Sequence, residues 1–265
     1  MAKRKFWWGE FPSGAFAGID PEETIAVLPV AAIEQHGPHL PVSTDTAIMQ
    51  EMLAETFARL PAKLDARFLP IQTIGKSDEH IRKPGTLTLP PAALIEAWTE
   101  IGASVARTGI RKLVVINSHG GNEEVIGIVT RQLRVRFDML AVKTSWEKLG
   151  IPAGLFSETE TKQGIHGGDL ETSLMLHFLP ELVDMSKARD FGSSFVSAAE
   201  EFELLRPTGP QAFAWLAGDL NEAGVVGNAA AATAEKGRQV AEYQTERFVR
   251  LLEDVRKAKL SEWLR

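Results

Sequence analysis

The chain has 265 residues, 44% of them hydrophobic, a formal net charge of -6 at pH 7 and no cysteine. The negative charge argues against a nucleic-acid surface, and the lack of cysteine excludes disulfides and thiolate metal sites. The length suits one domain over residues 1–265, and without a signal-peptide core or a membrane-spanning apolar window we expect a cytoplasmic protein with no membrane partner.

Apolar strand patterns alternate with amphipathic helix patterns along most of the chain. Strands are predicted over residues 24–30, 67–74, 113–116 and 139–144, and helices over residues 45–60, 90–106 and 123–136. This alternation predicts an α/β fold. The run at 113–116 is wholly apolar, as is typical of a central parallel strand covered on both faces.

The C-terminal half is predicted to be mainly helical. A helix should begin near Asp169, and residues 180–205 are predicted to be a connection followed by a polar helix. From Asn228 onward the chain is alanine-rich and then amphipathic. We expect this long terminal helix to cover one face of the sheet.

Three possible metal ligands follow the first predicted strand. In an extended chain Glu34 and His36 point the same way, because the side-chain period of a strand is two residues. Asp45 lies at the start of the next helix, where the helix dipole favours an anion. Imidazole and carboxylate groups together suit zinc, iron or manganese. A solvated loop is the alternative for a Glu-x-His pair that stands alone.

Two more histidines lie in segments that could form a binding site. His80 is in a polar loop, where binding residues are frequent, although an ordinary loop histidine is an equal alternative. His119 follows the central strand, at the sheet edge where open α/β folds bind ligands. Gly120 and Gly121 let a ligand approach the backbone there, and the G-x-G-x-x-G spacing of dinucleotide sites is absent. Trp146, near the end of the next strand, joins these residues as a candidate substrate contact.

A final pair of candidates surrounds the start of the helix near residue 169. His166 lies in a glycine-containing loop before this helix, and Glu171 lies in its first turn. A carboxylate at that position has a simpler alternative role, which is to complement the helix dipole.

Taken in order, three motifs resemble the creatininase family, also called the creatinine amidohydrolase family. They are Glu34-x-His36 with Asp45, the Asn-Ser-His-Gly-Gly-Asn turn at 117–122, and the His-Gly-Gly-x-x-Glu-Thr-Ser-Leu-Met segment at 166–175. The resemblance runs over nearly the whole chain. It implies a three-layer α/β/α sandwich with a mostly parallel central sheet, two divalent ions per subunit (zinc, manganese or iron), and a homo-oligomer, namely a hexamer.

The same resemblance implies a set of metal ligands. Glu34 and His119 would bind one ion and His36 the other. Asp45 would bridge the two ions, and Glu171 is the candidate that completes the coordination of the second.

The chain also departs from the creatinine-acting members of this family. Where those members have a tyrosine and a ligand glutamate, this chain has Gly120 and Gly121. Where they have a tryptophan that closes over creatinine and a second glutamate, this chain has Lys162 and Ile165. These changes argue against creatinine as the substrate. Lys162 or Lys83 could instead meet an anionic group, the alternative being a solvated lysine.

The ligand set indicates hydrolysis. A water molecule between two ions has a lowered pKa and supplies a metal-bridging hydroxide, while one ion polarises the substrate carbonyl. His166 is the candidate for proton transfer to the departing nitrogen, because histidine titrates near neutral pH. His80 could orient the substrate.

We therefore predict a dinuclear-metal amidohydrolase that cleaves a carbon–nitrogen bond in a small non-peptide substrate, a cyclic amide or a formamide. Three alternatives share the fold: a deformylase of a pyrimidine nucleotide intermediate, a peptide-trimming hydrolase and a cyclic-sugar hydrolase. A metal-binding scaffold without turnover is an alternative of a different class.

Overall fold

The computed structural model describes residues 4–195 and 201–263, and within these residues the centre of the molecule is a four-stranded parallel sheet. Its strands are β1 (Ile25–Val30), β2 (Ala66–Phe68), β3 (Lys112–Asn117) and β4 (Leu140–Ser145). The spatial order is β2-β1-β3-β4, and every neighbouring pair is parallel. In this register Val30 lies opposite Asn117, and Asn117 lies opposite Ser145. The carboxyl ends of three strands therefore meet at one edge of the sheet.

The α-helices of the described residues are α1 (Thr44–Arg59), α2 (Pro91–Arg107), α3 (Glu123–Phe137), α4 (Glu158–Gln163), α5 (Asp169–Phe178), α6 (Ala217–Leu220), α7 (Ala234–Lys257) and α8 (Leu260–Trp263). Helices α1, α5 and α7 cover one face of the sheet, and α2 and α3 cover the other. A small antiparallel pair, β5 (Asp190–Phe191) and β6 (Gly227–Asn228), lies outside the main sheet.

Side chains of β1 alternate between two hydrophobic cores. Ile25 and Val27 pack in the core formed with α1, α5 and α7, whereas Ala26 and Leu28 pack in the core formed with α2 and α3. Because both faces of the sheet are buried, the strands are almost entirely apolar, as parallel strands usually are. The predicted three-layer α/β/α sandwich is confirmed.

Most predicted elements agree with the structure, with ends shifted by one or two residues. The strand predicted over 67–74 is wrong beyond Phe68, and only an isolated bridge joins Val30 to Gln72 further along. The N–H groups of Leu69 and Gln72 donate to the backbone oxygens of Val27 and Pro29, so three residues advance opposite two, and this extra residue breaks the regular ladder. Helix α4 had no sequence prediction. Residues 196–200, which belong to the stretch predicted as a connection and polar helix, lie outside the described residues.

No helix in the described part of the chain combines the length and the apolar character needed to cross a membrane.

Helices α5 and α7 pack closely at Gly237. A Cβ atom on Gly237 would lie 1.9 Å from the backbone oxygen of Ser173 and 2.9 Å from Cβ of His177. We expect Gly237→Ala to lower the free energy of unfolding by about 1–3 kcal/mol, because a backbone oxygen cannot move aside without shifting a helix. Denaturant-induced unfolding followed by circular dichroism measures this change.

Gly127 provides the matched control, since it also lies inside a helix, α3. A Cβ atom there would meet only the flexible end of Lys143, with Nζ at 3.2 Å. We expect Gly127→Ala to raise the free energy of unfolding by about 0.5–1 kcal/mol, the usual advantage of alanine over glycine within a helix. Equal effects of the two substitutions would contradict the close packing of α5 on α7.

Candidate metal centre

Four buried polar side chains gather where β1 and β3 end. Glu34 and His36 follow β1, Asp45 lies in the first turn of α1, and His119 lies two residues beyond β3. Each is at least nine-tenths buried, and Glu34 is 0% exposed. Nδ1 of His119 lies 3.1 Å from Oε1 of Glu34 and 3.5 Å from Oδ2 of Asp45, and Nε2 of His36 lies 3.5 Å from Oδ1 of Asp45. Segments that are distant in the sequence thus form one cluster.

The cluster contains two groups of three side chains with the spacing of a metal site. One group is Glu34, Asp45 and His119, and the other is His36, Asp45 and Glu171. Within each group the candidate ligand atoms all lie within 4.8 Å of one another. Glu171 joins from the first turn of α5, with Oε2 3.9 Å from Nε2 of His36. Asp45 belongs to both groups, and it is the residue for which the family resemblance implies a bridging role.

Several atoms of this cluster lack hydrogen-bond partners. Among the described residues, neither carboxylate oxygen of Glu34 has a well-directed hydrogen bond, and the same holds for Nε2 of His36 and Oδ2 of Asp45. Leaving such groups buried and unpaired costs about 1–3 kcal/mol each, and more when they are charged. A pair of divalent cations would satisfy all of them, so the donor set fits such ions.

Hydrogen bonds determine which nitrogen of each histidine faces the cluster. Nδ1 of His36 donates to the backbone oxygen of Glu34 at 3.0 Å, and Nε2 of His119 donates to the backbone oxygen of Lys76 at 2.8 Å. Because a carbonyl oxygen only accepts, these nitrogens carry the hydrogen. The other nitrogen of each ring is then free to bind a cation, as is usual for histidine ligands.

Electrostatics within the cluster favour bound positive charge. Burial lowers the pKa of His36, but Asp45, Glu171 and Glu34 outweigh it and raise this pKa to about 9. Burial likewise opposes charge on His119, while Glu34 and Asp45 raise its pKa to about 10. Burial raises the pKa of Asp45 to about 6, although His36 acts in the opposite direction. Without metal ions, the cluster therefore takes up protons where cations would bind.

His166 contacts the cluster from the loop before α5. Its Nε2 donates to the backbone oxygen of Gln35 at 2.7 Å, and its Nδ1 lies 3.5 Å from Oε1 of Glu34. Burial and the charge of His36 lower the pKa of His166 to about 4. The ring is therefore neutral near pH 7, with a lone pair on Nδ1. A third group of candidate ligands, Glu34, His36 and His166, makes metal binding the alternative to proton transfer.

Glu171 and His166 are held by a glycine between them. Gly167 has φ 64°, and its N–H donates to Oε2 of Glu171 at 2.5 Å. Its carbonyl oxygen accepts from Nε2 of His39 at 3.1 Å. A side chain at this position would adopt an unfavourable left-handed conformation, and its Cβ would lie 3.1 Å from Val225.

Gln35 forms hydrogen bonds to three segments next to the cluster, and it was not identified from the sequence. Its Oε1 accepts from the N–H of Gly37, while its Nε2 donates to the backbone oxygen of Gly224 at 2.7 Å and to Nδ1 of His80 at 2.8 Å. Nε2 of His80 therefore carries the hydrogen and lies 3.5 Å from Oε1 of Glu34. The sequence did contain a signal for this role, because the two-residue side-chain period of an extended chain turns Gln35 away from Glu34 and His36.

A cavity of about 370 Å³ opens beside the cluster. The lining residues that bear on function are His119, Gly120, Trp146, Phe156, His166 and Glu171. His80 and Gly121 are not among the described residues that line it, so their direct contact with substrate stays a prediction.

The two lysines considered for an anionic substrate group lie away from this cavity lining. Lys162 is exposed, pairs with Glu158 and lines a neighbouring cavity of about 390 Å³. Lys83 donates to the backbone oxygen of Glu222.

Comparison with known proteins gives consistent results. The family model described as creatininase, creatinine amidohydrolase, matches residues 10–252. A Mycolicibacterium smegmatis protein named mycofactocin precursor peptide peptidase is 31% identical over 219 residues, covering 82% of this chain and 79% of that protein. The creatinine amidohydrolase of Pseudomonas putida is 31% identical over 198 residues, covering 69% of this chain and 74% of that protein. A solved structure described as "Creatininase Mn" has a TM-score of 0.73 at 24% identity, covering 95% of this chain and 98% of that chain.

Proposed function

Because the chain belongs to the creatininase family of hydrolases, we propose that it is a dinuclear metal-dependent amidohydrolase. Its substrate in this proposal is a small non-peptide amide, cyclic or formylated, whose carbon–nitrogen bond is hydrolysed. The observation that carries the proposal is the pair of candidate ligand groups that share Asp45 and adjoin a cavity of about 370 Å³.

The proposed ligands follow from these two groups. Glu34, Asp45 and His119 hold one ion, and His36, Asp45 and Glu171 hold the other. When bound, such ions lower the pKa of a coordinated water molecule and polarise a substrate carbonyl. The nitrogen and oxygen donors suit zinc, manganese or iron.

His166 supplies proton transfer in this proposal. Its Nε2 hydrogen is engaged by the backbone oxygen of Gln35, so Nδ1 is the nitrogen available to accept a proton. His166 lines the cavity, and its lowered pKa keeps Nδ1 unprotonated near neutral pH. Nδ1 takes a proton from the attacking water and then delivers it to the departing amide nitrogen.

Trp146 and Gly120 form part of the wall that faces the substrate. Trp146 is 4% exposed and packs edge-on against Phe248 of α7, with 5.2 Å between ring centroids. This rigid ring excludes water on one side of the cavity. At Gly120 the absence of a side chain leaves open space, since a Cβ atom there would meet nothing within 4 Å. A substrate can therefore approach the backbone beside His119.

Peptide trimming is the second candidate function, and the similarity to the Mycolicibacterium smegmatis peptidase favours it. Gly120 and Ile165, which line the cavity, stand where the family resemblance places a tyrosine and a glutamate in creatinine-acting members. A less enclosed site would accept a longer substrate.

A turnover assay on metal-reconstituted protein tests and separates these functions. The panel contains creatinine, other cyclic amides, formamides and short peptides, each assayed with zinc, manganese or iron. We expect turnover of at least one cyclic amide or formamide. Cleavage confined to peptides would establish the second function, and no turnover with any metal would contradict both.

A further inference from the structure

The loop before α2 places a carboxylate beside the outer edge of the His119 ring. Oε1 of Glu79 lies 3.5 Å from Nε2 of His119, on the edge opposite Nδ1, which faces Glu34. Oε2 of Glu79 is paired with Nζ of Lys76 at 2.8 Å. The backbone oxygen of Lys76 accepts the hydrogen of the same Nε2 at 2.8 Å. Nε2 of His119 thus faces both a carbonyl oxygen and a carboxylate.

Gly121 makes room for this arrangement. A Cβ atom at Gly121 would lie 2.2 Å from Oε1 of Glu79, 2.4 Å from Nε2 of His119 and 2.4 Å from the backbone oxygen of Lys76. The family resemblance places a ligand glutamate at this position in creatinine-acting members. Here the carboxylate of Glu79, from a different segment, occupies the space beside the glycine.

The position of Glu79 has two physical effects on His119. A negative charge beside the Nε2–H group favours the tautomer with hydrogen on Nε2, which leaves the Nδ1 lone pair directed at Glu34 and Asp45. It also increases the electron density of the ring, and a histidine ligand whose outer N–H faces a carboxylate binds metal more tightly. The ion pair with Lys76 and the low exposure of the Glu79 side chain, 12%, hold the carboxylate in this position.

We propose that Glu79 is a positioning residue that orients His119 for metal binding and increases the affinity for the ion held by Glu34, Asp45 and His119. The inference rests on the proposed function, because it requires the metal centre to form. It assigns a role to a residue outside the two candidate ligand groups.

Metal affinity tests the proposal without reference to turnover. Competition with a chromophoric chelator should give a dissociation constant for each of two ions in the wild-type protein. Glu79→Ala should raise the dissociation constant of one ion by about 10-fold to 100-fold, the usual effect of removing such a partner. The other ion, held by His36, Asp45 and Glu171, should change far less. Glu79→Gln keeps an oxygen next to Nε2 and should recover part of the lost affinity.

Asp78→Ala is the matched control. Asp78 precedes Glu79 in the same turn, and its Oδ1 accepts from Thr88 rather than facing His119. Both substitutions remove one negative charge and one carboxylate from the same loop. If Asp78→Ala and Glu79→Ala weaken metal binding equally, the effect belongs to the loop and the proposal is wrong.

Cobalt substitution adds a spectroscopic measurement, because the visible bands of Co²⁺ respond to its ligands. We expect Glu79→Ala to shift bands that Asp78→Ala leaves unchanged. Unchanged affinity and unchanged bands in Glu79→Ala would overturn the role of Glu79 while leaving the metal centre intact. A wild-type protein that binds no ions would instead contradict the proposed function.

A second pair of variants examines the space that Glu79 occupies. Gly121→Ala should lower the affinity for the same ion, because the added Cβ would displace Glu79 and the ring of His119. Gly120→Ala adds the same methyl group one residue away, where it meets nothing within 4 Å, and should leave metal affinity unchanged. Equal metal affinities in the two variants would contradict the proposed arrangement.

Discussion

Asp45→Ala is expected to remove both ions from the protein and to leave no measurable turnover. Asp45 is the residue common to both candidate ligand groups, and its side chain is buried between His36 and His119. Its loss should lower metal affinity by more than the roughly 100-fold that loss of an outer hydrogen-bond partner causes. Elemental analysis after gel filtration, together with turnover on the substrate panel, measures both effects.

Asp254→Ala is a suitable control for this variant. Asp254 pairs with Lys257 on the exposed side of α7, far from the cluster in sequence and highly exposed. Asp254→Ala removes one negative charge, as Asp45→Ala does, but changes no candidate ligand. This variant should therefore keep two ions and full activity. Retention of two ions by Asp45→Ala would exclude the bridging role.

His166→Ala is expected to keep both ions and to lower kcat by about 10²-fold to 10⁴-fold, the usual contribution of a positioned acid/base group. Neither of the two ligand groups that share Asp45 includes His166, and its Nδ1 is the nitrogen left free for proton transfer. Metal content and steady-state kinetics should be measured on the same preparation.

His177→Ala provides the comparison for His166→Ala. His177 lies near the end of α5, close to Gly237, and is not among the described residues that line the cavity. Its removal should leave kcat unchanged. Loss of one ion from His166→Ala would instead identify His166 as a ligand of the group with Glu34 and His36.

The sequence was sufficient to predict the central architecture because local patterns determine it. The wholly apolar run at 113–116 predicts a central parallel strand covered on both faces, and the parallel pairing of β3 and the two cores confirm this prediction. The strand predicted over 67–74 was too long because its apolar residues continue beyond Leu69, where an extra residue shifts the register against β1. Hydrophobicity alone does not reveal a shift in register.

The sequence placed the candidate ligands in three separate motifs, and the structure brings those motifs together. What it could not predict are contacts between distant segments. Gln35 donates to the backbone oxygen of Gly224, 189 residues away, and His80 lies against Glu34 rather than on the cavity wall. Likewise, no local pattern indicates that Glu79 would occupy the space beside Gly121. Such relations depend on how the loops pack after the sheet has formed.

The deep burial of Glu34 and Asp45 links folding to the supply of cations. An ion-free molecule retains carboxylates and imidazoles at 0–6% exposure with few partners, whereas a loaded one gains the binding energy of the ions, which an unfolded chain cannot capture in the same geometry. Each tenfold excess of free ion over its dissociation constant then adds about 1.4 kcal/mol to resistance against denaturation. The bound ions would thus cross-link the segment after β1 to the segments after β3 and before α5. Chelators would therefore lower the free energy of unfolding as well as abolish turnover.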